Sequence, residues 1–132
     1  MNNPARIEII HWLYDILKPK RFIHTLGVEE TAVRLARAYD ISEKDASTAA
    51  LLHDCAKNLS KEELLQICER EHIDLGTNSV YPQLLHAFAA PYTAQQRFGN
   101  VFSPEILDAI RYHTTGRAGM TLLDKIIFSA DY

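Results

Sequence analysis

His53 and Asp54 stand side by side in the stretch 51–57, Leu-Leu-His-Asp-Cys-Ala-Lys, and an imidazole beside a carboxylate is the beginning of a metal site. On a helix, adjacent side chains leave the axis about 100° apart, so the pair can close on one ion only at the helix edge and needs ligands from elsewhere. Lys57 falls one turn on, four residues after His53 and three after Asp54, within reach of the carboxylate or of an anion held by the ion. Taken alone, the pair reads as a capped or salt-bridged helix end. Further donors are spread along the chain, however: His24, His86, His113 and Asp131 each lie beside apolar helical sequence rather than in a polar loop. Mixed imidazole and carboxylate ligands suit a divalent transition metal better than calcium, which takes oxygen ligands, or a thiolate-selected zinc. Two His and two Asp leave positions open in an octahedral sphere, and an ion so held lowers the pKa of water and neutralises phosphoryl oxygens. That combination is phosphoester or phosphoanhydride hydrolysis.

The elements that must position these groups read as helices throughout. Asn3 is placed to cap a first helix with Pro4 at its first position, and Ile7, Ile10, Leu13, Tyr14 and Leu17 fall near 3.6-residue spacing until Pro19 ends it. A second helix opens around residues 20–22 and runs to about Tyr39, with Arg21 and His24 in its first turn and Gly27 weakening its middle. Ser42 and Asp45 resemble a capping box for an alanine-rich run that carries the chain into His53 and Asp54, and small residues there permit close approach of a neighbour. Ser60 and Glu63 make a clearer box for a helix reaching about Glu71, with His72 at its C-terminus, and residues 74–81 read as a loop. Pro82 starts a short helix carrying His86, after which Pro91 is expected to force a kink or, more naturally, a new start; Gly99 stops that segment. Ser103 and Pro104 introduce a helix that ends near His113, and Thr121 with Asp124 opens the last one, which reaches Asp131. No segment alternates as a strand does, so the expected fold class is all-α, a bundle of about seven helices. A helix ending one residue past a ligand carboxylate would fray, so the chain is expected to continue beyond Tyr132.

Composition sets limits on partners. With 132 residues, 47% hydrophobic and 23% charged, the chain can bury a real core. A net charge of −3 offers no basic face to a nucleic-acid backbone, and the densest basic cluster, Lys18, Lys20 and Arg21, suits a few phosphates of a small ligand. Cys55 and Cys68 are thirteen apart with no CxxC, which indicates neither a zinc knuckle nor a disulfide framework. No stretch approaches the roughly 18 apolar residues of a membrane span, and no secretory signal opens the chain, so a cytoplasmic location is expected. His11 and His72 read as surface or capping residues and Cys55 as packed core.

The order His24, then His53-Asp54 with Lys57, then a distant Asp131 resembles the HD superfamily of metal-dependent phosphohydrolases, whose ligands follow the pattern H, HD, D on a helical bundle. The resemblance is closer to the YqeK-type branch: His-Asp-Cys-Ala-Lys at 53–57, Leu-Leu-His-Ala at 84–87, Ile-Arg-Tyr-His-Thr-Thr-Gly at 110–116 and Asp-Lys-Ile-Ile-Phe-Ser-Ala-Asp at 124–131. It implies one HD domain over residues 1–132, cut short at its C-terminal end, that cleaves diadenosine tetraphosphate symmetrically to two ADP at an iron-type centre, with manganese an alternative. By position, His24, His53, Asp54 and Asp131 are implied as metal ligands. His86 and His113, with Thr114, are implied to contact phosphate oxygens or to bind a second ion. Arg21 and Lys57 are implied to offset charge on the bridging phosphates, and Asp54 to orient the attacking oxygen. The implied partner is a small-molecule nucleotide, with no nucleic acid and no membrane; a homodimer stays open. Two other readings also stay open: an HD phosphohydrolase acting on another nucleotide, and a non-catalytic nucleotide-sensing module using the same pocket.

Overall fold

The structure, a computed structural model, describes residues 4–76 and 82–132. These form seven α-helices: α1 (Arg6–Ile16), α2 (Pro19–Ala38), α3 (Glu43–Leu52), α4 (Lys61–Arg70), α5 (Pro82–Phe98), α6 (Pro104–Arg111) and α7 (Leu122–Asp131). No strand occurs among the described residues, and no described helix is long and apolar enough to cross a membrane.

The hub is α3. Ala46, Ala49, Ala50, Leu51 and Leu52 are all fully buried, and the helix touches α1, α2, α5, α6 and α7. Its alanines leave so little bulk that five helices can approach one short rod, and the chain leaving its C-terminal end emerges at the centre of the bundle. Around it pack Ile9 and Leu13 of α1, Val28 and Ala32 of α2, Leu85 and Ala89 of α5, Ile106 and Ile110 of α6, and Ile126 and Ile127 of α7. A polar tie reinforces the near-side layer: Arg6 grips the buried Glu29 with two bonds of 2.6 and 2.7 Å, and Ser47 Oγ donates to the same carboxylate at 2.6 Å. Burial works to raise the Glu29 carboxyl, but Arg6 and Ser47 together outweigh it and hold the group below its ordinary value.

The caps follow the sequence closely. Ser60 with Glu63, and Thr121 with Asp124, form complete reciprocal boxes, and Ser103 accepts from Ile106 N ahead of Pro104. Ser42 accepts from Asp45 N at 3.1 Å and so forms one half of the expected box. Because α7 delivers Asp131, its cap bears on the site: Thr121→Ala is expected to lower stability by about 1 kcal/mol, read as an earlier midpoint in urea with unchanged slope.

Three expectations need correction. The first helix begins at Arg6 behind Ala5, which has no side-chain cap; Asn3 lies outside the described residues. Pro91 neither starts a new helix nor ends the old one, since α5 runs unbroken from Pro82 to Phe98. An interior proline costs on the order of 3 kcal/mol, but Leu85 and residues 87–90 are almost wholly buried, so packing holds the helix through it. Two side chains donate to carbonyls beside the proline, Thr93 Oγ1 to Ala89 O at 3.0 Å and Cys55 Sγ to Ala90 O at 3.4 Å. Finally, His53 and Asp54 are not on a helix. α3 stops at Leu52, and residues 53–58 form successive turns.

Candidate metal centre

That early stop aims the pair. As α3 gives way to turns, His53 N bonds back to Ala50 O and Lys57 N to Asp54 O, while Asn58 Nδ2 fastens the turn to Ile16 O at the end of α1. The result is a His53 that is 0% exposed and an Asp54 that is 2% exposed, inside the ring of helices. The first two turns of α2 bring Arg21 and His24 to this point, α5 brings His86, the turn after α6 brings His113, and the last turn of α7 brings Asp131.

Asp54 is the middle of the cluster. Its Oδ2 lies 3.2 Å from His53 Nε2, 3.9 Å from His24 Nε2 and 3.1 Å from Arg21 Nη1. Its Oδ1 faces the other way, 3.2 Å from His86 Nε2 and 3.6 Å from His113 Nε2. Asp131 Oδ1 closes the first group at 2.8 Å from His24 Nε2 and 3.2 Å from His53 Nε2. Two sets of donors therefore share one carboxylate: His24, His53, Asp54 and Asp131, and Asp54, His86 and His113, each with ligand atoms within 4.8 Å of one another.

The donor chemistry fits a cation. His53 Nδ1 and His113 Nδ1 both point at backbone carbonyls, Ala50 O and Ile110 O, and since a carbonyl only accepts, both Nδ1 atoms carry hydrogen. In a neutral imidazole that leaves Nε2 as a bare lone pair, and these two lone pairs face carboxylate oxygens, that of His53 toward Asp54 and Asp131 and that of His113 toward Asp54. Acceptor against acceptor needs a proton or a metal ion between. Counting protein groups alone, burial works to depress His53, but Asp131 and Asp54 more than reverse this and raise it to about 9. Burial likewise opposes ionisation of Asp54, yet His113, His53 and His86 hold it far below the usual carboxylate range. Asp131 is lowered despite its burial, by His53 and His24. His113 goes the opposite way, pushed down chiefly by burial.

Beside this cluster, Lys18, Lys20, Arg21, His24, Lys57 and Asn58 line a cavity of 380 Å³, and Lys57 also borders a second one of 270 Å³ that reaches His86. Thr114 sits in the turn with His113; its Oγ1 is buried with no partner among the described residues, and no described contact joins it to Asp54. The remaining histidines, His11 and His72, are exposed, and His72 closes α4 in the left-handed conformation.

The family model of the HD domain matches residues 21–132, which contain His24, His53, Asp54, His86, His113 and Asp131. The chain belongs to the HD domain family. It is 47% identical over 127 residues to the symmetrical bis(5'-nucleosyl)-tetraphosphatase of Bacillus subtilis strain 168, covering 96% of this chain and 68% of that one. To the protein of the same description from Halalkalibacterium halodurans it is 42% identical, covering 88% of this chain and 62% of that one. Its fold superposes with TM-score 0.92 on the crystal structure of a predicted HD superfamily hydrolase involved in NAD metabolism from Clostridium acetobutylicum, 42% identical, over 98% of this chain and 68% of that one. The chain thus spans about two thirds of the length of these relatives. Within this HD domain, four of the sequence-level site residues, His24, His53, Asp54 and Asp131, converge on one point, His86 and His113 on Asp54's second oxygen, and Arg21 on its first. What sequence reasoning missed is the sharing of Asp54 and the carbonyls of Ala50 and Ile110 that orient two of the rings. Neither carries a side-chain signal, since backbone carbonyls are the same in every residue.

Proposed function

We propose that this HD domain is a metal-dependent hydrolase that cleaves diadenosine tetraphosphate symmetrically into two ADP. The observation that carries this is the doubly used Asp54, placed between two donor sets and beside a cationic cavity; the tetraphosphatase relatives supply the substrate. Divalent transition metal ions, iron or manganese, held by His24, His53, Asp54 and Asp131 and by Asp54, His86 and His113, supply positive charge to phosphoryl oxygens and acidity to water.

The chain's own groups do the rest. Arg21 and Lys57, with Lys18 and Lys20 behind them, take the polyphosphate and offset the charge that grows on the bridging oxygens. Arg21 is preorganised for this by its 3.1 Å bond to Asp54, which leaves its remaining donors for phosphate. His86 and His113 stand on the other side of Asp54, with Thr114 next in the chain to contact phosphate oxygens, and Asp54 Oδ1 orients the attacking oxygen from there. Around Asp54, His86 and His113 the buried setting strengthens these interactions relative to water.

Purified protein supplied with ferrous or manganous ion is expected to release ADP as the sole nucleotide product from diadenosine tetraphosphate, followed by chromatography. ATP and AMP in equal amounts would refute symmetrical cleavage. His53→Ala is expected to abolish release, because the lost ring is fully buried and faces both carboxylates at 3.2 Å.

A further inference from the structure

Arg111 is a cation the metal centre does not use. It is the last residue of α6, and its guanidinium lies 3.4 Å from the centroid of the Phe88 ring and 4.6 Å from that of Tyr112. It ion-pairs with no described carboxylate, and the residues outside the described set include no Asp or Glu. Asp108, one turn earlier, turns instead to Arg117 at 3.4 Å, and the nearest hydrogen-bond partner of Arg111 is Thr115 Oγ1 at 3.5 Å, the edge of contact. Taking a guanidinium partly out of water costs free energy that two aromatic faces return only in part. Burial accordingly works against its charge.

This cation borders a cavity of 460 Å³ between α5 and α6, within the range of roughly 300–1,000 Å³ usual for small-ligand sites. Phe88, Tyr92, Gln95, Asp108 and Tyr112 line it with Arg111; none of the metal-centre groups does. Phe88 follows His86 by two residues, about 200° around the helix, so the cavity opens on the face of α5 turned away from Asp54. The chemistry on offer is a forked cation matched to phosphate oxygens, the ring of Tyr92 able to stack on a flat heterocycle while that of Tyr112 carries Arg111 and Arg117, each 4.6 Å from its centroid, and an amide that can both donate to and accept from a base edge.

We propose that this cavity is a second binding site, separate from the metal centre, for a nucleoside monophosphate: phosphate on Arg111, base on the ring of Tyr92, with Gln95 on its edge. The site stands whether or not the metal centre cleaves a tetraphosphate. The test is photolabelling of the metal-loaded protein with an azido-substituted adenosine monophosphate, followed by peptide mapping. Label is expected on the peptides carrying Tyr92 or Tyr112, reduced about tenfold in Arg111→Gln, the worth of one charge-assisted contact. Gln95→Trp, which fills the cavity and leaves Arg111 in place, is expected to reduce it equally should the first variant fold poorly. The matching azido-adenosine without phosphate is expected to label about tenfold less. Label confined to peptides of the metal centre, label unchanged in both variants, or equal labelling without the phosphate would each overturn the proposal.

Discussion

Asp54→Ala is expected to strip the protein of metal and to lower hydrolysis by at least about a thousandfold, since this one side chain serves both donor sets, and loss of a mere outer-shell partner already costs about 10–100-fold. Elemental analysis of protein purified without added metal, run beside ADP release, reads both effects. The variant is also expected to be less stable in the metal-free state. His53 then keeps Asp131 alone as counter-charge, and breaking a buried ion pair by removing one partner costs about 3–5 kcal/mol. Circular dichroism separates a folded protein without metal from an unfolded one. Near-stoichiometric metal and unimpaired turnover in a folded Asp54→Ala protein would remove Asp54 from the centre and with it the proposed function.

The second large effect is a reversal of pH dependence on metal loading. In the metal-free chain the folded His53 is raised from 6.5 to about 9, so its stabilising charge is fully present below pH 6.5 and is lost as pH rises through about 9. That shift corresponds to as much as about 3 kcal/mol, so the metal-free protein is expected to unfold more readily at pH 9 than at pH 6.5. The ion needs the same nitrogen without its proton. Metal affinity is therefore expected to rise by close to tenfold per pH unit over that interval, one proton leaving per ion bound, and the loaded protein should gain stability where the empty one loses it. Thermal unfolding with and without metal across the interval checks the crossing, and calorimetry in two buffers of different ionisation enthalpy counts the proton. An affinity flat from pH 6.5 to 9 would mean that His53 does not bind the ion.

Helix periodicity and end signals were legible in the residues because both are local. Ser60 with Glu63, Thr121 with Asp124 and Ser103 before Pro104 each act within one turn, so the partner needed for the bond lies three residues away in the sequence itself. The ordered set His24, His53, Asp54 and Asp131 was legible too, because imidazole and carboxylate beside apolar helical sequence announce a buried polar site. The ends of two elements were not. Pro91 obeys its local rule everywhere except inside a buried helix, where packing on all sides outweighs the missing bond.

By itself, then, the sequence determined that the fold is a bundle of helices, where most of them are capped, and which side chains are candidates to hold a cation. The tertiary structure alone decided that α3 breaks off at Leu52, that Asp54 points one oxygen at His53 and the other at His86 and His113, and that Arg111 faces aromatic rings rather than a carboxylate. Those outcomes depend on distances between residues dozens of positions apart, set by how closely five helices pack around the alanines of α3, and no spacing along the chain encodes them.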